Sequence, residues 1–474
     1  MGKFHLTLSR RDFMKSLGLA GAGLATVKVG TPVFHDLDEV ISNENSNWRR
    51  PWWVKEREFD KPTVDVDWGI YKRFDKFTYA PANARIAMFG QEAVMKANQD
   101  WNNLVAKRLQ EDTAGFTIRD RAMDEGLCEE GINGGYPAPR TASLPQDLAD
   151  MADPPIVLSK GRWEGTPEEN SRMVRCVLKL AGAGSVAFGV ASEDKAEKFI
   201  YTHEHVWGDF KHYKIGDYDD IWEDEETRYH PHKCKYMITY TIPESEELLR
   251  RAPSNFAEAT VDQAYSESRV IFGRMTNFLW ALGKYICGGD CSNAHSIHTA
   301  TAAWTGLSEC SRMHQQTISS EFGNIMRQFC IWTDLPLAPT PPIDMGIMRY
   351  CLTCKKCADT CPSGAISHED PTWERAFAPY CQEGVYDYDF SHAKCSQFWK
   401  QSSWGCSMCT GSCPFGHKNY GTVHDVISAT AAVTPIFNGF FRNMDDLFGY
   451  GKNPGMESWW DQEPRYRGLY REIF

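Results

Sequence analysis

CLTCKKCADTCP, Cys351–Pro362, and the shorter CSMCTGSCP, Cys406–Pro414, decide how the C-terminal part of this chain folds. The first stretch has the C-x2-C-x2-C-x3-C-P spacing that holds a [4Fe–4S] cluster, and the second repeats its latter part. In two-cluster ferredoxins three closely spaced thiolates grip one cubane while the fourth, set off by its proline, reaches the other. This crossing predicts one cluster on Cys351, Cys354, Cys357 and Cys413, and a second on Cys361, Cys406 and Cys409 plus one further thiol. Cys395 and Cys381 are the candidates for that place. Cys395 is favoured because it makes a stretched copy of the first motif, which leaves Cys381 as a spare thiol. Zinc sites pair two C-x2-4-C units without further cysteines at fixed offsets, and disulfides between such near neighbours are sterically poor, so both readings are weak. No C-x-x-C-H is present to attach haem.

At the other end, SRRDFMK (Ser9–Lys15) precedes the short apolar run SLGLAGAGLATVKVG. Paired arginines before a weakly hydrophobic segment read as a twin-arginine export signal over residues 1–35. The run is shorter than the roughly 20 apolar residues that span a bilayer. GLAGAG lacks the preceding strand that a dinucleotide loop needs. The twin-arginine route carries folded proteins, which suits a chain whose clusters are built before export. The 474 residues, with 42% hydrophobic and 13% aromatic content, describe a globular protein of two or three domains. A net charge of −12 excludes nucleic acid as a natural partner, since that affinity comes from clustered Lys and Arg. No later segment is long and apolar enough to cross a membrane, so attachment to one would need a partner protein.

Between these ends, residues 36–160 read as a loop-rich N-terminal region with scattered helices, 161–344 as an α+β core, 345–425 as the cluster domain and 426–474 as a C-terminal segment. Thr166 and Pro167 open a helix that Gly182 and Gly184 close, and SVAFGV follows as a strand. Tyr236–Pro243 is a second strand, and Asn255 to about Gly283 is a long helix by its apolar period. TDLPLAPTPPID, residues 333–344, is a proline-punctuated connector into the cysteine block. The histidines in His203–His205 and His230–Cys234 read as ordinary loop residues rather than a metal site.

Leader, mixed core, proline-rich connector and ferredoxin block in this order resemble the corrinoid-dependent reductive dehalogenases of organohalide-respiring bacteria, in particular the chloroethene-type enzymes. The resemblance covers almost the whole chain. It implies a nitroreductase-like core that binds cobalamin, joined to a two-[4Fe–4S] ferredoxin-like domain that feeds it electrons. The histidine-ligating motif Asp-x-His-x-x-Gly is absent, so the corrinoid is implied by the resemblance alone. It also implies a catalytic tyrosine, Tyr265, that donates the proton, an arginine, Arg327, that supports it, and Asn293 as a third polar residue. GGDCSNAHSIHTATAAW, which contains Asn293, stands where the family has a Gly-rich loop and is the largest departure from its pattern. Phe272, Trp304 and Trp332 are candidate pocket liners. The implied setting is respiratory: a small halogenated organic substrate, an electron donor of a respiratory chain and a small membrane anchor protein, with the enzyme peripheral on the outer face of the cytoplasmic membrane. Homo- and hetero-oligomers both stay open. Rival readings are an epoxyqueuosine reductase-like corrinoid enzyme, disfavoured by the leader and the negative charge, and an exported electron-transfer ferredoxin without catalysis.

Overall fold

A computed structural model describes residues 50–78, 81–127, 161–203, 211–290, 295–375, 382–402, 405–417 and 422–461. The twin-arginine stretch, Asn293 and Cys381 lie outside the described residues. The elements below belong to one compact unit that begins at Trp53.

Local signals set the first elements of the core. Thr166 starts the helix Pro167–Ala181 with both halves of a capping box: its hydroxyl accepts the Glu169 N–H at 3.2 Å, and the Glu169 carboxylate accepts the Thr166 N–H at 2.9 Å. Gly182 stops the helix at φ 113°, a left-handed value open to glycine. Val174 and Leu178, on one helical face, are fully buried. The chain then forms strand β1 (Val186–Val190), β2 (Tyr236–Pro243), β3 (Gly288–Asp290) and β4 (Met326–Thr333), an antiparallel sheet in the order β1-β2-β4-β3. Register is fixed by the pairs Val186↔Tyr240, Tyr236↔Thr333 and Gly288↔Trp332.

Both faces of this sheet are covered. Phe188, Ile238, Tyr240, Phe329 and Ile331 pack with the long helix Asn255–Gly283 through Ala264, Ile271, Met275 and Leu279. Met237, Cys330 and Trp332 join Phe199, Tyr213 and Trp304 in a second core on the opposite face. The strand period of two therefore sends Arg327, Phe329 and Ile331 toward the long helix and Cys330 and Trp332 away from it. Phe272 lies in the first core, and Trp304 and Trp332 in the second. All three candidate liners take the ordinary core role that aromatic residues more often have, and the Trp332 indole N–H donates to Ser296 at 3.2 Å.

The cysteine-bearing segment packs onto this core through close backbone approaches. A Cβ at Gly411 would collide with the Leu249 carbonyl, and one at Gly323 with the Phe415 carbonyl. The Asn324 amide donates to the Thr410 carbonyl at 2.9 Å. N-terminal residues tie the parts together: Lys55–Glu56 pairs with Ile343–Asp344, and Asp65–Val66 with Val385–Tyr386. Three helices, Pro81–Phe89, Gln91–Gln110 and Ile118–Leu127, fill out this N-terminal region. The helix Thr422–Val433 runs through position 425, where the cluster domain was expected to end. Among the described residues no helix is long and apolar enough to cross a membrane.

A buried charge network joins core, cluster segment and the helix Asn438–Leu447. His417 places Nδ1 2.6 Å from Glu246 Oε1 and Nε2 3.2 Å from Asp445 Oδ1, and Asp445 also pairs with Lys356. Burial works against the imidazolium, but the two carboxylates on its nitrogens override it and raise its pKa. A His417→Gln variant leaves the buried Glu246 without its paired cation, while Asp445 keeps Lys356, so a loss of about 3–5 kcal/mol is expected, read by urea denaturation. Because the folded pKa is the higher one, the histidine's contribution is complete below about pH 6.5 and is lost as pH rises through the elevated folded value. The difference between wild type and variant shrinks over that interval; a constant difference would argue against an ionised His417.

Candidate redox and proton-transfer site

The doubled cysteine pattern is a doubled backbone pattern. Lys355 and Ser407, each directly after the first cysteine of a C-x2-C pair, take left-handed φ values of 54° and 57°. Five-residue helices follow, Lys356–Thr360 and Met408–Ser412, and each ends at an extended cysteine before proline, Cys361 and Cys413. The residues just ahead of those cysteines meet across the repeat, with Thr360 Oγ1 3.0 Å from Ser412 Oγ. This arrangement sends each Cys-Pro thiol toward the other motif.

Cys351, Cys354, Cys357 and Cys413 line one small cavity, walled by Arg312, Tyr350 and Phe415. As bare thiols these groups would hold their protons: burial pushes Cys351 up to about 12 and Cys354 up to about 11. Cys361, Cys395, Cys406 and Cys409 form a second set. Burial raises Cys395 well above the usual thiol range, and the charges acting on it are those of Cys409, Cys406 and Cys361. Cys395 sits on the helix His392–Trp399. Cys357 and Cys409 also act on each other, so the two sets adjoin there. None of the described cysteines is in a disulfide. Among the described residues no group of three or more His, Cys, Asp or Glu side chains forms a single-ion metal site. The helix Ile347–Cys354, which carries Cys351 and Cys354, is anchored by Glu309, whose carboxylate accepts the Met345 N–H at 2.6 Å and the Met348 N–H at 3.3 Å. Burial pushes Glu309 up to about 7 despite these bonds.

The proton-transfer candidates come from two different elements. Tyr265 lies half-buried on the long helix, with its ring 5.8 Å from Phe329 and edge-on to it. Arg327 reaches across from β4, its guanidinium 5.6 Å from the centre of the Tyr265 ring. Glu244, just past the end of β2, holds Arg327 in place: the Nε–H donates to Oε1 at 2.8 Å. Burial would lower the Arg327 pKa, but Glu244 and then Tyr265 beside it raise it, so the guanidinium stays charged. Burial raises Glu244 while Arg327 opposes that shift. Glu258, two turns before Tyr265 on the same helix, acts on both Arg327 and Cys406. A Cβ at Gly405 would collide with the Glu258 carboxylate. Glu258 thus lies close to Gly405, next to Cys406 of the second set, and its charge is felt at Arg327.

The histidine groups carry no such constellation. His230 is buried, its Nε2 3.0 Å from the Cys234 carbonyl, and burial lowers it to about 4. His203 stacks on His212 at 4.1 Å, while Glu204 and His205 of the same short motif lie outside the described residues.

Residues 49–337 match the family described as reductive dehalogenase subunit, and residues 350–416 match the 4Fe-4S double cluster binding domain. The chain belongs to the reductive dehalogenase family. It is 32% identical to a chloroethene reductive dehalogenase of Dehalococcoides mccartyi strain VS, over 98% of both chains. It is 28% identical to a trichloroethene reductive dehalogenase of another Dehalococcoides mccartyi strain, over the full length of both. Among solved structures, a catabolic reductive dehalogenase shares the fold at a TM-score of 0.60 and 19% identity, covering 84% of this chain. The chain spans about half of that protein, 49% of its length. This reductive dehalogenase is thus an oxidoreductase with the mixed core and the separate ferredoxin-like domain expected of its family.

Sequence reasoning missed Glu244, Glu258, Glu309 and Arg312. Each acts through a partner on a distant element, and an isolated Glu or Arg gives no sign of that. A faint signal existed for Glu244, which directly follows the strand-closing Pro243.

Proposed function

We propose that this enzyme removes halide from small chlorinated ethenes or ethanes, using a corrinoid reduced through two [4Fe–4S] clusters. The observation that carries this is the geometry: four cysteines share one cavity, and Arg327, held by Glu244, lies over the half-buried Tyr265 ring. Reductive dehalogenation needs an electron path and a proton donor at one place, since R–X + 2e⁻ + H⁺ gives R–H + X⁻. Cys351, Cys354, Cys357 and Cys413 hold the first cluster, and Cys361, Cys395, Cys406 and Cys409 the second. A cluster held by the second set would lie on the side of Glu258, beside Gly405, and would supply low-potential electrons there.

Family membership supports a corrinoid at this face, where Tyr265 keeps part of its surface accessible amid buried neighbours. A corrinoid bound there would supply a low-potential cobalt centre of a kind that side chains cannot. Tyr265 holds the proton at its hydroxyl and delivers it to the carbon that loses halide. Arg327, kept charged by Glu244, lies over the ring and stabilises the phenolate left behind. The family resemblance adds Asn293 as a third polar residue. Twin-arginine export, an anchor protein in the membrane, a peripheral place on its outer face and a respiratory electron donor complete the reading. The match of both Dehalococcoides mccartyi relatives over essentially their whole length supports the chloroethene substrate class.

The test is anaerobic: protein loaded with iron and cobalt, a reduced viologen as donor and a panel of chlorinated ethenes and ethanes. One halide released per two electrons consumed is the expected stoichiometry. Viologen oxidation without halide from any member of the panel would overturn the reading.

A further inference from the structure

Arg312 is fully buried, at 0% exposure, in the wall of the cavity shared by Cys351, Cys354, Cys357 and Cys413. Its guanidinium donates only to carbonyls: Cys351 at 3.1 and 3.0 Å, Ser367 at 2.6 Å and Glu369 at 2.7 Å. Its far face lies on the Tyr388 ring at 4.0 Å. Among the described residues no carboxylate pairs with it, and the nearby Glu309 gives its oxygens to the Met345 and Met348 N–H groups. A buried, permanently charged guanidinium with neutral partners alone is costly. A cubane held by four thiolates is net negative and sits where that positive charge is unanswered.

We propose that Arg312 is the counter-ion of the first cluster and sets its reduction potential, by favouring the form that has gained an electron. This rests on the reading of those four cysteines as cluster ligands. On reduction the cluster accepts one electron from the donor and its negative charge grows by one, while Arg312 keeps its proton. The fixed cation therefore stabilises the reduced form more than the oxidised form. Cluster potentials respond to net charge and burial in this way. Arg312 touches neither substrate nor the Tyr265 face, so it is a positioning and tuning residue.

The experiment is a dithionite redox titration followed by EPR on the full chain with both clusters, comparing wild type with Arg312→Met, Arg312→Gln and Arg312→Lys. In the uncharged variants the reduction equilibrium of one cluster is expected to fall about tenfold, a downward shift of about 59 mV for a one-electron couple, with the other cluster unmoved. Arg312→Lys keeps the charge and is expected to keep both midpoints near wild type. Two unshifted midpoints in an uncharged variant with full iron would overturn the proposal. If neither uncharged variant holds its iron, Arg312→Lys decides. Retained clusters and midpoints support the charge, and a lost cluster or a tenfold fall means that the carbonyl bonds alone matter, which overturns it. Wild-type protein with iron for a single cluster would instead refute the underlying ligand assignment.

Discussion

Replacing Tyr265 with Phe is expected to abolish halide release while leaving cobalt and both clusters in place. The variant loses one hydroxyl and keeps the ring, so its edge-on contact with Phe329 and its position under Arg327 survive. The ring's packing against the first core is kept in the variant. What disappears is the proton donor, and positioned acids contribute about 10²–10⁴ in rate. Steady-state halide release should fall within that range, with the variant's EPR and absorption spectra unchanged. Turnover close to wild type would remove Tyr265 from the mechanism. Glu244→Gln gives a graded companion result. It keeps a hydrogen-bond acceptor for Arg327 but not the charge, so its activity should lie between wild type and Tyr265→Phe.

The second large effect concerns the eighth cluster ligand. Cys395→Ala is expected to lower iron from about eight to about four atoms per chain and to stop catalysis, because the second cluster loses one of four thiolates. Cys381→Ala is expected to leave both unchanged. The placement of Cys395 among Cys361, Cys406 and Cys409 supports this ordering. Iron analysis and EPR spin counting of the two variants check it, and the opposite pattern would move the assignment to Cys381.

Different parts of this molecule were legible in the sequence for different reasons. The long helix Asn255–Gly283 and the capped helix Pro167–Ala181 follow from apolar period and capping chemistry, both local properties. The cluster segment was legible because thiolate spacing is itself a geometric constraint. Strand β4 was not, although it lies between β2 and β3 and carries Arg327. With both faces buried, Phe329-Cys330-Ile331-Trp332 shows no alternation and reads as an undifferentiated apolar run. The same strand explains why Trp332 is core while Arg327 is at the candidate site: they differ in parity and so face opposite sides of the sheet. Phe272 and Trp304 looked suitable as pocket liners because aromatic side chains suit both pockets and cores, and only packing separates the two. Arg312 was invisible for another reason: its meaning lies in the carbonyls of Cys351, Ser367 and Glu369, which a linear reading cannot bring together around one guanidinium.

The central claim is that electrons pass through two iron–sulfur clusters to a cobalt centre beside Tyr265. Metal analysis of anaerobically purified, corrinoid-reconstituted protein tests it most directly. The account predicts about one cobalt and about eight iron atoms per chain, with halide release that tracks cobalt content. Full iron with no retained cobalt, or halide release that is indifferent to cobalt, would contradict it.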